Sequence, residues 1–472
     1  MSFTSLVSGP ASLLALSTAT LATMLVTCPV AAGPASSAAV GDRSEAPTVA
    51  IVGARLETVS HGVIDAGTLV LARGRIAALG RNATAPSGAR VIDGRGLTVT
   101  PGLFAASSNL MVAEVNLLTP TRDDGSGENL SAGFDVQYGI NPASIGVPVA
   151  RLSGVTHAAI TPLVGRISIG EHDGDEAALQ GGGEGGEFQP ALFAGQAAIV
   201  RLAHGDVRPL IRARSAVALD LGEAGADNAG GSRGAELVLV RAALADARHL
   251  AANRAAFDRG EGRAYGLPRI DLEALVPVVQ GRTPLLIRAS RASDIRQALS
   301  LAREEKVRII LEGAEEGWLA AREIADARVP VLLDPQADLP RAFESLGARL
   351  DNAARLQSAG VLIAIKGGRN FNSLRPMRLN AGVAVAYGLT HDQALAAITL
   401  NPARIWGLDG RIGSLEVGKD ADVVVWNGDP LENLSDPVAL FIGGVEQPMS
   451  SRRTQLRDRY LKPEDGLPPA YH

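Results

Sequence analysis

The sequence predicts an α/β protein in which repeated strand–helix units are set into a second, purely β domain. Through the centre of the chain, short runs that are apolar on both faces alternate with amphipathic runs at helical spacing, the signature of a buried parallel sheet, open or closed. Near each end lies a segment of alternating apolar and polar residues punctuated by glycines, the pattern of short antiparallel strands. Neither end segment is a complete sheet layer alone. The centre therefore reads as an insertion into a split β domain. With 472 residues, 46% of them apolar, the chain can bury a large core, and a (β/α)8 barrel uses about 250 residues as one unit.

The first β segment is "AIVGARLETVSHGVIDAGTLVLARGRIAALG", with turns expected at Gly62, Gly67 and Gly74. Leu69 and Leu71 share one face of a strand, and Ile76 and Ala78 face them across a turn at Arg73–Gly74. The second segment comprises "GSLEVGKDADVVVWNGDP" and "PVALFIGGVEQPM", with Gly418 making a sharp turn that Asp422 supports. In the centre, "GVTHAAITPL", "TPLLIRAS", "KVRIILEG", "VPVLLD" and "GVLIAIKGG" read as buried strands. In "GAELVLVRAALADARHLAANRAAF", Leu237, Val240, Leu244 and Ala247 mark one helix face. Thr390 and Gln393 form a capping box, and Pro402 is expected beyond the end of the helix they open. The acidic, Gly-rich stretch 170–188 reads as a solvated loop, with a weak cation site as the alternative. Gly102 is expected to supply the bend into the first central strand.

Residues 11–27, "ASLLALSTATLATMLVT", are apolar or small, no Lys or Arg precedes Arg43, and Val30 and Ala32 suit a cleavage site. The expected layout is a signal peptide at 1–32, a linker at 33–47, the first half of the β domain at 48–100, the strand–helix region at 101–405, the second half at 406–460 and a tail at 461–472. Export to the periplasm or medium follows. An uncleaved anchor and lipidation at Cys28 are the alternatives. Cys28 is the sole cysteine, so cleavage after Ala32 would remove every thiol nucleophile, thiolate ligand and disulfide. The net charge of −5 gives no sign of the clustered basic surface of a nucleic-acid binder, and no nucleic-acid partner is expected. Four lysines against forty-one arginines reads as base composition of the genome rather than function.

Two stretches carry a resemblance. "VTPGLFAASSNL" is similar to the Pro-Gly-Leu-hydrophobic-Asp-x-His-x-His stretch of the amidohydrolase superfamily, and "LNPARIWGLDGRIGSLEVGKDADVVVWNGDPLE" resembles that superfamily's C-terminal signature. "TPLLIRASRASDIRQALSLAREEKVRIILEGAEEGWLAAREI" is similar to its imidazolonepropionase-like, secreted bacterial branch. The resemblance spans roughly residues 48–460. It implies a (β/α)8 TIM barrel inserted into a small split β-sandwich, hydrolysis of carbon–nitrogen bonds other than peptide bonds, and zinc or another divalent metal at the barrel mouth that activates water and polarises a carbonyl.

The residues depart from that pattern. The histidine pair of the first strand aligns with Ser107 and Asn109, and the preceding Asp with Ala105. Arg288 aligns with a His of the family and Ser290 with its neighbour, and Gly313 stands where a metal His is expected after Glu312. Lys366 and Gly368, followed by Arg369, replace the Thr-Asp pair of the last strand. Two departures need no alignment. The seven histidines (61, 157, 172, 204, 249, 391 and 472) contain no His-x-His, and no Asp or Glu lies between Asp351 and Asp392. His157 is read as a hydrogen-bonded core residue, with a mouth-facing ligand as the alternative. His172 and His204 are read as surface, His249 as the exposed side of its helix, and His391 as part of a cap. The expectation is therefore a family member with no metal cofactor. It would be a non-catalytic homologue binding a ligand or partner, its Arg288, Lys366 and Arg369 suiting a small anionic ligand. The alternative is an active amidohydrolase with an atypical or metal-free site, using Ser107 as nucleophile or Glu312 as base. A homodimer, or a heteromer with an active paralogue, is the expected assembly.

Overall fold

The computed structural model describes residues 46–115, 118–125, 130–163, 191–367 and 374–461. The expected signal segment with Cys28, most of the linker and tail, the acidic stretch 170–188 with His172, and also Gly368, Arg369 and His472 lie outside the described residues. Among the described residues no helix is long and apolar enough to cross a membrane.

The two ends of the chain build one sheet. Strands β1 (Val49–Glu57), β2 (Val63–Ala72), β3 (Arg75–Gly80), β4 (Arg90–Asp93) and β5 (Thr98–Pro101) come from the first segment. The order is completed from the far end of the chain, where β5 pairs antiparallel with Val423–Trp426, Thr98 opposite Trp426 and Thr100 opposite Val424. The meander is as the alternation predicts. Arg73 and Gly74 both take positive φ, 50° and 74°, the conformation of the tight hairpin turn that matches strand twist. Val70 then faces Ala78 and Leu71 faces Ile76. Ile51, Leu56, Leu69, Leu71, Ile76 and Val99 share one core with Val423, Val425 and Phe441.

The central region supplies β6 (Leu103–Ser108), β7 (Val155–Ile160), β8 (Gly195–Gln196), β9 (Ala198–Arg201), β10 (Leu210–Arg212), β11 (Val217–Asp220), β12 (Leu285–Ala289), β13 (Ile309–Gly313), β14 (Val331–Leu333) and β15 (Ile363–Ile365). The chain then returns to the first sheet as β16 (Val423–Trp426), β17 (Pro437–Ile442) and β18 (Val445–Glu446). β6 and β7 are parallel, and β11 to β15 follow one another in parallel. β8 and β9, nearly one strand, run antiparallel to both neighbours, β7 and β11. Residues 202–209, which link β9 to β10, are too few for the crossover that a parallel return needs, roughly a dozen or more residues. The chain doubles back as a hairpin instead.

Apolar side chains from β6, β7, β9, β11, β12, β13, β14 and β15 meet in one cluster: Phe104, Ala159, Ile199, Ala218, Leu286, Ile310, Leu332 and Ala364. Trp406 packs into it and donates its indole N–H to the Ala106 carbonyl at 3.0 Å. Helices cover the other faces. In Arg233–Ala252 the buried stripe is Val240, Ala243, Leu244, Ala247 and Leu250, with Leu237 at its edge.

Two of three local expectations change. Gly102 has no positive φ; a Cβ there would lie 2.2 Å from Thr156 Oγ1. The glycine is required by the close approach of the chain to β7 rather than by a bend. Pro402 lies beyond the end of the capped helix, His391–Ala397, as expected, and falls in the first turn of the next, Leu400–Ile405, where a missing N–H costs nothing. The capping box itself is present, with Thr390 and Gln393 exchanging hydrogen bonds. Gly418 makes its turn at φ +91°, but Asp422 serves a different one, accepting from Gly443 N at 2.7 Å.

Candidate functional site

Side chains two residues apart on a strand point the same way. The next inward positions beyond the apolar cluster are therefore Thr161 after Ala159, Asp220 after Ala218, Arg288 after Leu286, Glu312 after Ile310, Asp334 after Leu332 and Lys366 after Ala364. The structure joins most of these at the C-terminal ends of the strands. Glu312 is the hub, with a fully buried side chain. Its Oε1 accepts from Ser107 Oγ at 2.8 Å and from Lys366 Nζ at 2.8 Å, and its Oε2 from Arg288 Nε at 3.1 Å. Arg288 also donates to Asp220 Oδ1 at 2.9 Å and to the Pro162 carbonyl at 2.7 Å. Ser107 Oγ and Thr161 Oγ1 are 2.8 Å apart. The pairing follows from register, since Asp220 lies opposite Arg288 and Arg288 opposite Glu312 on adjacent strands. Burial pulls the Arg288 guanidinium down, but the Asp220 and Glu312 carboxylates outweigh it and hold the group above its ordinary value.

The remaining candidates scatter. Asn109 turns to Asp124, 3.3 Å away, which Arg122 also grips. Ala105 is buried apolar packing. Gly313 and Ala314 both have positive φ, 91° and 54°; the second is unusual for a residue with a Cβ and directs the chain so that Glu315 returns toward the strand ends. Ser290 accepts Glu316 N on its carbonyl and bonds the Glu315 carboxylate with its side chain.

Behind Glu312 is a second polar group that sequence reasoning missed. Glu315 follows β13, Asp334 and Asp338 follow β14, and Asn380 lies on the helix Met377–Ala386. Asn380 Nδ2 donates to Asp334 Oδ1 at 2.7 Å and to the Lys366 carbonyl at 3.0 Å, and Asn352 Nδ2 reaches Asp338 Oδ1 at 3.3 Å. Burial first, and then the Glu315 carboxylate, push Asp338 up to about 8; burial raises Glu315 as well.

The described histidines hold no common site. His157 is buried, with Nδ1 3.0 Å from Thr156 Oγ1 and Nε2 3.7 Å from Asp422 Oδ2, so it is the core residue expected; burial lowers its pKa. His204 is exposed and His391 pairs with Asp429. His249 is not on an open face, because it is half-buried against Tyr265, 2.8 Å from the phenol oxygen.

Of Ser107, Arg288, Glu312 and Lys366, all named from sequence, the structure makes one cluster. Asp220, Thr161 and Asp334 could have been found by stepping two residues along each strand. Asp220 was hidden by its Ala-rich strand, "AVALD", and Glu315, Asp338 and Asn380 sit beyond the strands, where no periodicity places them.

A family model described as the amidohydrolase family matches residues 299–450. An imidazolonepropionase from Pseudomonas aeruginosa is 37% identical over 128 residues, 26% of this chain and 30% of its own length. One from Maricaulis maris is 38% identical over 93 residues, 19% of this chain and 23% of its own. The chain thus spans less than a third of the length of either relative. The crystal structure of an amidohydrolase from Thermotoga maritima superposes with a TM-score of 0.72 at 23% identity, over 84% of this chain and 99% of that one. That likeness carries the fold, an α/β architecture containing a TIM barrel. Residues 299–450 are thus similar to the amidohydrolase family, parts of the chain to imidazolonepropionases, and the fold to that of a solved amidohydrolase.

Proposed function

We propose that the protein is an exported, non-catalytic amidohydrolase homologue in which an ion-pair cluster stands where the family resemblance implies a metal centre, and that it binds a ligand or a partner without hydrolysing it. The observation that carries this reading is Glu312, whose carboxylate is taken up by Ser107, Arg288 and Lys366. A divalent cation does not fit that set. Hydroxyl and amide groups are weak substitutes for imidazole, and Arg288 and Lys366 bring two fixed positive charges to the place. Among the described residues no three His, Cys, Asp or Glu side chains are arranged to hold a metal.

The finer architecture belongs to the same reading. The shared apolar cluster supports closure of the eight central strands into a barrel with one strand reversed, and the mixed sheet built by both chain ends supports a split β-sandwich around it. Export rests on residues 1–32, and a homodimer or a heteromer with an active paralogue is the assembly proposed. A small anionic ligand would have to displace Asp220 or Glu312 from Arg288 and Lys366.

One observation favours a second reading. Ser107 Oγ lies 2.8 Å from Glu312 Oε1, the reach a serine nucleophile needs to a base, so metal-free hydrolysis of an amide or cyclic amide is the alternative. The same oxygen also accepts from Lys366, which competes with that role. The test is elemental analysis of protein purified without added metal or chelator, beside a hydrolysis screen of N-acyl amino acids and dipeptides. Stoichiometric zinc together with turnover overturns the proposal. Metal-free turnover that disappears in Ser107→Ala establishes the alternative.

A further inference from the structure

Buried polar atoms in native proteins are nearly always hydrogen-bonded, and each exception calls for a physical explanation. Beside the ion-pair cluster three exceptions come from three different segments: Glu315 Oε2, Asp338 Oδ2 and Asn380 Oδ1 have no hydrogen-bond partner. All three are oxygens, and the two carboxyls are acceptors alone once ionised. Asp338 and Asn380 are each 1% exposed, so water does not satisfy them cheaply. They lie close together: Asn352 bridges Asp338 to the Ala314 carbonyl, next to Glu315, and Asp334, four residues before Asp338, is bonded to Asn380.

Local donors leave these oxygens over: Ser290 serves the Glu315 carboxylate, yet Oε2 stays without a partner. Asn352 spends its amide on the Ala314 carbonyl and Asp338 Oδ1, leaving Oδ2. Asn380 spends its own on Asp334 and the Lys366 carbonyl. Lys366 Nζ is held by Glu312. Glu315 and Asp338 do not bond each other as a carboxylic acid pair would. What these three oxygens lack is a hydrogen-bond donor.

We propose that Glu315, Asp338 and Asn380 form a binding site for an organic cation, a primary ammonium or a guanidinium group. An ammonium carries three N–H donors and a guanidinium five, none of them an acceptor, so either group matches a set of acceptors alone. Hydrogen bonds between such a cation and a carboxylate are the stronger kind. Glu315 and Asp334 are only partly buried, which gives the group a way in. An organic cation is preferred to a metal ion, since no three of these carboxylates are arranged as metal ligands. The site does not depend on whether the protein hydrolyses anything, and it reverses the sign of ligand that the fixed cations led us to expect from sequence.

The experiment is calorimetric titration of the full chain with agmatine and with n-butylammonium chloride, against glutarate and calcium chloride at matched ionic strength. Saturable binding of at least one organic cation, none of glutarate, and a tenfold or greater loss of affinity in both Glu315→Gln and Asp338→Asn is the expected result. Circular dichroism checks that each variant is folded. Binding unchanged in both variants, binding of glutarate or calcium alone, or no binding of either cation would overturn the site. None of those outcomes bears on metal content or turnover, which test the reading above separately.

Discussion

Replacing Glu312 by Ala removes the group that ties β13 to Ser107 of β6, Arg288 of β12 and Lys366 just beyond β15. The side chain has no solvent exposure, and its partners Arg288 and Lys366 are 16% and 13% exposed. Removing one member of a buried ion pair strands the other without water to replace it, at a cost of about 3–5 kcal/mol. Here Arg288 keeps Asp220, so the charge left uncompensated is chiefly that of Lys366, and Ser107 loses an acceptor besides. The expectation is a loss of about 3 kcal/mol or more, read as a fall in the urea midpoint at unchanged slope. The double variant Glu312→Met with Lys366→Met removes both charges, leaves the Arg288–Asp220 pair balanced and restores apolar volume. Swapping a buried pair for apolar groups is often neutral or stabilising by about 1–4 kcal/mol, so the double variant should recover most of the loss. A Glu312→Ala cost below about 1 kcal/mol, or a double variant no better than the single, would mean that the cluster is solvated and that the reasoning is wrong.

Gly102→Ala should destabilise the chain by about 1–3 kcal/mol through overpacking, because the new Cβ meets Thr156 Oγ1 at 2.2 Å and Cγ2 at 2.4 Å; urea unfolding measures it. Trp406→Ala should cost about 3–5 kcal/mol by emptying the space among Phe104, Ala159 and Ala364 and leaving the Ala106 carbonyl without its indole donor, again read from the urea midpoint. Asp338 is ordinarily at 3.8 and is pushed up to about 8 among Glu315, Asp334 and Asp351, with Asn352 the one donor opposing them. The native chain therefore keeps a proton that the unfolded chain has released between those values, and stability contributed at this residue falls as pH rises from about 4 to 8. Asp338→Asn should match the parent at pH 4 and exceed it in urea midpoint at pH 9; equal midpoints at both would refute the shift.

Much of this molecule is legible because its local signals agree with its tertiary ones. The hairpin at Arg73–Gly74 and the strands ending in Arg288, Glu312 and Lys366 are β-branched or aliphatic runs bounded by turn residues, and the structure keeps them. What escaped is equally physical. The reversed strand "GQAAIVR" and its neighbour "AVALD" are alanine-rich, because their inward residues Ala197, Ala216 and Ala218 leave room for Phe104 and Trp406 in the shared core. Small residues chosen for packing carry little strand propensity, so the segment gave no sign of itself or its direction. Gly102 and Asp422 are not legible locally, since both serve contacts with residues far along the chain, Thr156 and Gly443.

The strand ends also explain why reading charges singly misleads. Arg288 and Lys366, taken alone, look like a receptor for an anion. In the folded chain each lies against a carboxylate from the inward layer of the same strands, and the cluster is satisfied internally. The atoms that lack partners are instead carboxylate and amide oxygens one step farther out, on Glu315, Asp338 and Asn380. A site declares the ligand it is built for by what it leaves unpaired, because paired groups must first be separated at the full cost of desolvation. Holding an ionisable carboxyl as buried as Asp338 lowers stability at neutral pH, and such a cost is the kind that a binding site tolerates and a purely structural position does not. On that ground the stability gain expected for Asp338→Asn and its expected loss of cation binding are two sides of one interaction.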